Sequence, residues 1–116
     1  IPTCINSDKA AAMAVNRKTL TSYAFLPNYR NYWKEAGYED EMNQVEAAIA
    51  AKDFDRVPEC LSDRWLEDTT LSGTASEVRE GIEAWFDCGV KTPIIVPSAV
   101  SGGQMQAIQE FFDLWD

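Results

Sequence analysis

The spacing of apolar residues changes twice between Thr69 and Pro97, and the rest of the chain is organised around this stretch. Thr69 to Gly73 reads as a short strand that ends in a glycine turn. Val78, Ile82, Trp85 and Phe86 then recur at helical spacing, so one face of that segment is apolar. Thr74 stands where an N-cap belongs, and Glu77 three residues later completes a Thr-x-x-Glu capping box. Gly89 supplies a left-handed stop. Ile94, Ile95 and Val96 follow without polar alternation, the pattern of a strand buried on both faces. The crossover is long enough to join a parallel pair, and such a unit is right-handed.

Upstream, Ile1 to Asn6 is short, apolar and β-leaning, with Pro2 tolerated at a strand start. Ser7 and Asp8 offer an N-cap to an alanine-rich helix that runs to Pro27. Pro27 opens a second helix, on which Tyr29, Tyr32, Trp33 and Ala36 form an aromatic stripe expected to pack into a core, and Gly37 ends it. A third helix starts on Glu39, Asp40 and Glu41, where acids complement the dipole, and buries Met42, Val45 and Ile49. Pro58 opens a fourth, bearing Leu61 and Trp65. After the apolar run, Ser98 to Gly103 is a loop with two glycines, and a last helix carries Met105, Ile108, Phe112 and Trp115 on one face. The order is three short strand candidates, each followed by helix, with a helical insertion between the first two. That is a helix-rich α/β organisation in one segment, 1–116, with two open sheet edges left to cover.

Composition narrows the functions. The 116 residues are 46% hydrophobic and 25% charged, ordinary for one modest globular domain. A formal net charge of −9 repels a phosphate backbone, which argues against nucleic acid binding. The 3 cysteines, Cys4, Cys60 and Cys88, form no Cys-x-x-Cys pair, which suits buried thiols in a reducing, cytoplasmic setting and leaves no zinc motif. With no histidine, the Ser-His-Asp and Cys-His nucleophile systems are excluded within the chain. No apolar run approaches the roughly 20 residues of a membrane span. The chain opens on Ile1-Pro2 rather than Met, which points to a trimmed or partial protein.

Candidate chemistry is sparse. Asp68-x-Thr70-x-Ser72-Gly73 imitates the start of an EF-hand loop, but the position of the bidentate glutamate holds Arg79, so no cation site results. Glu35, Glu39, Asp40 and Glu41 read as a solvated surface, and no residue has the neighbours of a general acid or base. Gly73-Thr74, at a helix N-terminus, is a candidate anion seat. Ser98 with Gly102-Gly103 is a second glycine-rich approach to a phosphate, against the plainer reading of both as structural turns.

The order of these segments resembles a known family. D-K-A-A-A-M-A-V-N-R-K, Y-A-F-L-P-N-Y-R-N-Y-W-K-E-A-G-Y and L-S-G-T-A-S-E-V-R-E-G-I-E-A-W-F-D-C-G-V-K-T-P-I-I-V-P are similar to the C-terminal part of the bacterial luciferase-like monooxygenases. Ala75 stands where that family commonly has proline, and Asp87-Cys88 precedes Gly89. The resemblance implies the C-terminal portion of a TIM barrel and a flavin- or deazaflavin-dependent oxidoreductase acting on a small organic substrate. It implies FMN or a deazaflavin as cofactor, with Gly73, Thr74 and Ser98 as pocket-rim or phosphate contacts, and carries over no catalytic residue. An isolated segment is expected to be inactive, to self-associate or pair with the missing barrel half, and to expose Ile94 to Val96 and Trp85. The alternative is a non-catalytic helical interaction module that pairs through its aromatic faces.

Overall fold

A computed structural model describes all residues from 1 to 116. Three parallel strands, β1 (Pro2–Ile5), β2 (Leu71–Gly73) and β3 (Val96–Ser98), form one sheet in the order β2-β1-β3. The helices are α1 (Lys9–Ala24), α2 (Pro27–Glu35), α3 (Glu39–Ala50), α4 (Val57–Cys60), α5 (Asp63–Thr69), α6 (Ala75–Asp87) and α7 (Gln104–Phe112). Short 3-10 turns precede α4 and follow α7. This is the helix-rich α/β class with a parallel sheet and a helical insertion. The sheet is open, and β2 and β3 are both edges.

The chain divides into two compact units: residues 1–16 with 67–116, and residues 17–66. The first holds the whole sheet. Its core is Leu71, Val78, Ile82 and Leu114, with Ile5, Trp85, Ile95 and Phe111 packed against it. The capping box forms as the sequence anticipates: Glu77 N–H donates to Thr74 Oγ1 at 3.3 Å, and Thr74 N–H donates to Glu77 Oε2 at 2.8 Å. Asp8 Oδ1 likewise accepts from Ala11 N–H and starts α1. Gly37 and Gly89 end α2 and α6 at φ +103° and +98°, conformations an L side chain resists.

Four expectations about the strands and helices are corrected. β2 and β3 are not neighbours, because β1 lies between them: Thr3 pairs with both Leu71 and Pro97, and Cys4 with both Ser72 and Ser98. The apolar run is not a strand buried on both faces. β3 begins only at Val96, and Ile94 is 75% exposed. The last helix turns the face of Met105, Phe112 and Trp115 outward, while Ala107 and Leu114 go inward. The fourth helix is two: Leu61 leaves α4 in an extended conformation, and Ser62 Oγ then accepts from Trp65 N–H to start α5.

In the second unit, Met42, Val45, Ala48, Val57 and Leu61 are buried, and Trp33 meets Trp65 edge-on with ring centres 4.9 Å apart. Of the aromatic stripe, Trp33 is buried, while Tyr32 faces solvent. Glu41 corrects the solvated-surface reading: it is buried, and its Oε1 accepts from Ser62 Oγ at 2.9 Å and from Arg64 Nη2 at 3.0 Å. Arg64 also lies over the Tyr38 ring, 4.5 Å from its centre.

Candidate functional site

Because the three strands are parallel, their carboxyl ends finish on one side of the sheet. Ile5 stands beside Gly73, and Cys4 beside Ser98. Helices α1, α6 and α7 each follow one of these ends, α6 after a single residue and α7 after the loop 99–103. The three candidate residues therefore lie at one end of the sheet, with Gly73 and Thr74 after β2, Ser98 closing β3, and β1 between them. In open α/β sheets, ligands bind in a crevice outside these carboxyl ends.

The electrostatics of the three helix N-termini differ. At α6, both Thr74 N–H and Thr74 Oγ1 are engaged by Glu77. The backbone hydrogen bond from Thr74, with Lys9 Nζ 3.8 Å away, holds the Glu77 carboxyl below its ordinary range, so a negative charge already sits at this end of the helix. Gly73 lies at φ +129°, and any Cβ there would overlap Glu77 Oε2. The Asp8 carboxylate serves α1 in the same way. At α7 the N-cap is Gly103, which has no side chain to donate or accept; the Glu110 carboxylate of the same helix accepts from Gln106 Nε2 at 2.9 Å, and its charge reaches Cys4. Of the two anion seats expected from sequence, the Ser98–Gly103 loop is the one whose helix start has no side-chain cap.

One polar group escaped sequence reasoning. Asn16 is fully buried on α1; its Nδ2 donates to Leu71 O at 3.1 Å and to Ser72 Oγ at 2.7 Å, and its Oδ1 has no hydrogen-bond partner. The Leu71 carbonyl fixes which way the amide points, since the opposite orientation would set two oxygens together. Ala12, Asn16 and Leu20 share one helix face, so a lone polar residue in an apolar stripe was the available signal.

Two of the three cysteines, Cys4 and Cys60, are buried as expected and offer no nucleophile, whereas Cys88 is exposed. Burial pushes the Cys4 thiol up, the Glu110 charge pushes it further, and a hydrogen bond with the Val100 backbone only partly offsets them. Burial likewise raises Cys60, against the pull of Arg56, and its Sγ–H donates to Arg56 O at 3.4 Å. Both remain thiols at neutral pH. No helix is long and apolar enough to cross a membrane.

Comparison with known families decides what this frame belongs to. Residues 1–92 match the model of the luciferase-like monooxygenases. The chain belongs to the luciferase-like monooxygenase family. No curated protein and no solved structure matches it. The match runs from β1 through α6 and stops before β3, so Gly73 and Thr74 lie within it, and Ser98 and α7 lie beyond it. Family membership points to oxidoreductase chemistry, and luciferase-like proteins generally bind flavin-type cofactors.

Proposed function

We propose that this chain is the C-terminal segment of a flavin- or deazaflavin-dependent luciferase-like oxidoreductase, contributing the last strands and helices of a TIM barrel and inactive by itself. The observation that carries the reading is the family match over 92 of the 116 residues, which spans two of the three strands. FMN or a deazaflavin, when bound, supplies the redox chemistry, and the protein contributes binding, orientation and exclusion of water.

The residues present fit an anionic group on one side of the sheet end. The loop from Ser98 to Gly103 brings a hydroxyl and two glycines to a helix N-terminus with no side-chain cap, an arrangement suited to a phosphate. Gly73 and Thr74 form the opposite rim, where the Glu77 carboxylate makes a polar, non-phosphate contact the better fit. In a closed barrel each strand neighbours the next. β1 and β2 already do; β3 would leave β1 for the free edge of β2 as the barrel is completed by a partner or another copy. The small organic substrate would then enter the space above the strand ends.

Titrating the chain with FMN, and in parallel with a deazaflavin, while following fluorescence tests this reading. The expected result is no turnover and weak or no binding until the remainder of a barrel is supplied. Turnover by this chain alone overturns it. The second reading, a non-catalytic helical interaction module, is favoured by the outward side of α7 and the 3-10 turn after it, where Met105, Phe112 and Trp115 are 78%, 65% and 56% exposed. Sedimentation across a concentration series separates the two. A module is monodisperse and unfolds cooperatively, whereas an orphaned segment associates progressively.

A further inference from the structure

The side of α7 turned away from the sheet is built as a seam that runs on into the 3-10 turn. Met105, Ile108, Phe112 and Trp115 stand at i, i+3, i+7 and i+10, the a/d spacing of a helix that pairs with another helix. Met105 and Phe112 lie roughly 160° and 140° around the helix from Ala107, which meets the core, so the seam looks outward. Its aromatic rings are braced rather than free. Phe111 packs on the core cluster of Leu71, Val78, Ile82 and Leu114, and its ring meets Phe112 at 6.1 Å and Trp115 at 5.3 Å, both edge-on. Exposed rings already held in place lose little side-chain entropy when a partner covers them. Completing a barrel leaves this side open, because the helices of a barrel form an outer ring and turn only their inner side to the strands.

The far end of the seam is negative. Asp113 and Asp116 are exposed on either side of Trp115, and Asp113 Oδ1 accepts from the neutral Gln109 Nε2 at 2.8 Å. Both acids add to the negative end of the helix dipole, and the last turn of α7 holds no basic residue. We infer that the outward side of α7 docks an amphipathic helix that carries lysine or arginine beside its own apolar seam. The seam supplies the contact, and charge chooses the occupant. A second copy of this chain fits poorly. Between Thr92 and Asp116 it has three acids, Glu110, Asp113 and Asp116, and no lysine or arginine, so this face has no cation to offer its twin. The inference goes beyond the flavin reading, and it names an occupant for the surface on which the interaction-module reading rests.

The test uses the full chain and blocked peptides of about 21 residues, or three heptads. One has leucine at a and d with lysine at e and g, one has the same composition with the leucines scrambled off the seam, and one has glutamate in place of lysine. Binding is read by NMR from labelled methionine methyl groups. Of the 3 methionines, Met105 is exposed while Met13 and Met42 are buried, so the latter two serve as internal controls. The expected result is saturable movement of the Met105 signal with the lysine peptide. Binding should be about tenfold weaker for the glutamate peptide and absent for the scramble. Met105→Gln/Phe112→Gln replaces two exposed side chains with a good helix former, so it should keep the circular dichroism of the parent and lose the binding. Asp113→Lys/Asp116→Lys should also fold as the parent does, since cations suit a helix C-terminus, and should prefer the glutamate peptide. Equal binding of the scramble, or an unchanged preference in the folded lysine variant, overturns the assignment. A Met105 signal that moves with the chain's own concentration gives the face to a second copy and overturns it too. A folded, monodisperse chain that ignores the lysine peptide overturns the assignment while leaving the interaction-module reading intact, and none of these outcomes bears on the flavin titration.

Discussion

Gly81 sets how closely α6 approaches β2, and its replacement by alanine puts two opposing effects in one position. Glycine inside a helix costs about 1 kcal/mol relative to alanine, so Gly81→Ala should stabilise α6 by that amount if nothing else changed. A Cβ at Gly81, however, would lie 2.5 Å from Leu71 Cδ2, and Leu71 is buried against Val78, Ile82 and Leu114. A methyl forced into a filled core costs about 1–3 kcal/mol. The net expectation is a destabilisation of roughly 0–2 kcal/mol. Leu71→Ala alone should cost about 2–5 kcal/mol through lost burial and the cavity left behind. In that background the obstructing Cδ2 is gone, so Gly81→Ala should become stabilising by about 1 kcal/mol, with some cavity refilled besides. The four proteins form a double-mutant cycle, read by urea unfolding with far-UV circular dichroism, with a favourable coupling of about 1–3 kcal/mol. If Gly81→Ala stabilises the parent by the full helix term, or has the same effect in both backgrounds, the close contact between α6 and Leu71 is not what demands glycine.

Two further outcomes follow from groups already described. At Glu41, burial raises the carboxyl, but hydrogen bonds from its own backbone N–H, Arg64 and Ser62 outweigh it and hold it below the usual carboxylate range; Lys34, then Arg30, lower Glu46. Groups depressed in the folded state contribute stability that is present above the unfolded carboxylate pKa of about 4.3 and lost as pH falls through the folded value. Thermal melts should therefore drop steeply below about pH 4.5, and Glu41→Gln should flatten that limb; an unchanged acid limb would contradict the pairing. Gly73→Ala should cost about 1–3 kcal/mol from the φ of +129° alone, because no β-carbon is tolerated there without strain. Chemical denaturation measures it, and a neutral substitution would show that the turn adapts.

What the sequence made legible was what nearest neighbours decide. Asp8, Thr74, Glu77, Pro27 and the stops at Gly37 and Gly89 act within four residues of themselves, and each behaves as its local chemistry dictates. The parallel strands and helical insertion followed from order alone. Local pattern failed where the deciding partner is distant in sequence. Ile94 to Val96 has the composition of a strand covered on both faces, but such burial needs distant elements packed on both faces of the sheet, and Ile94 and Val96 remain exposed. α7 and the 3-10 turn after it are apolar on two sides, so periodicity could not say that Ala107 and Leu114, rather than Met105 and Phe112, would meet the core. Glu41 looked like one of several surface acids because its partners, Ser62 and Arg64, are more than 20 residues away.

The same division runs through the candidate site. Gly73, Thr74 and Ser98 are brought to one end of the sheet, as the alternation of strand and helix implies, but their roles are set by which donors remain available. Asp8 and Glu77 cap the starts of α1 and α6 with carboxylates, whereas Gly103 leaves the start of α7 without a side-chain cap. A phosphate approaching this end meets capping carboxylates at two of the helix starts and a glycine cap at the third, with the Glu110 charge near Cys4 beside it. The Glu77 side chain that makes the capping box readable is therefore also the physical reason to move the anion contact from Gly73-Thr74 to the loop after Ser98. Removing that carboxylate, rather than altering Ser98, is the perturbation that would reopen the first seat.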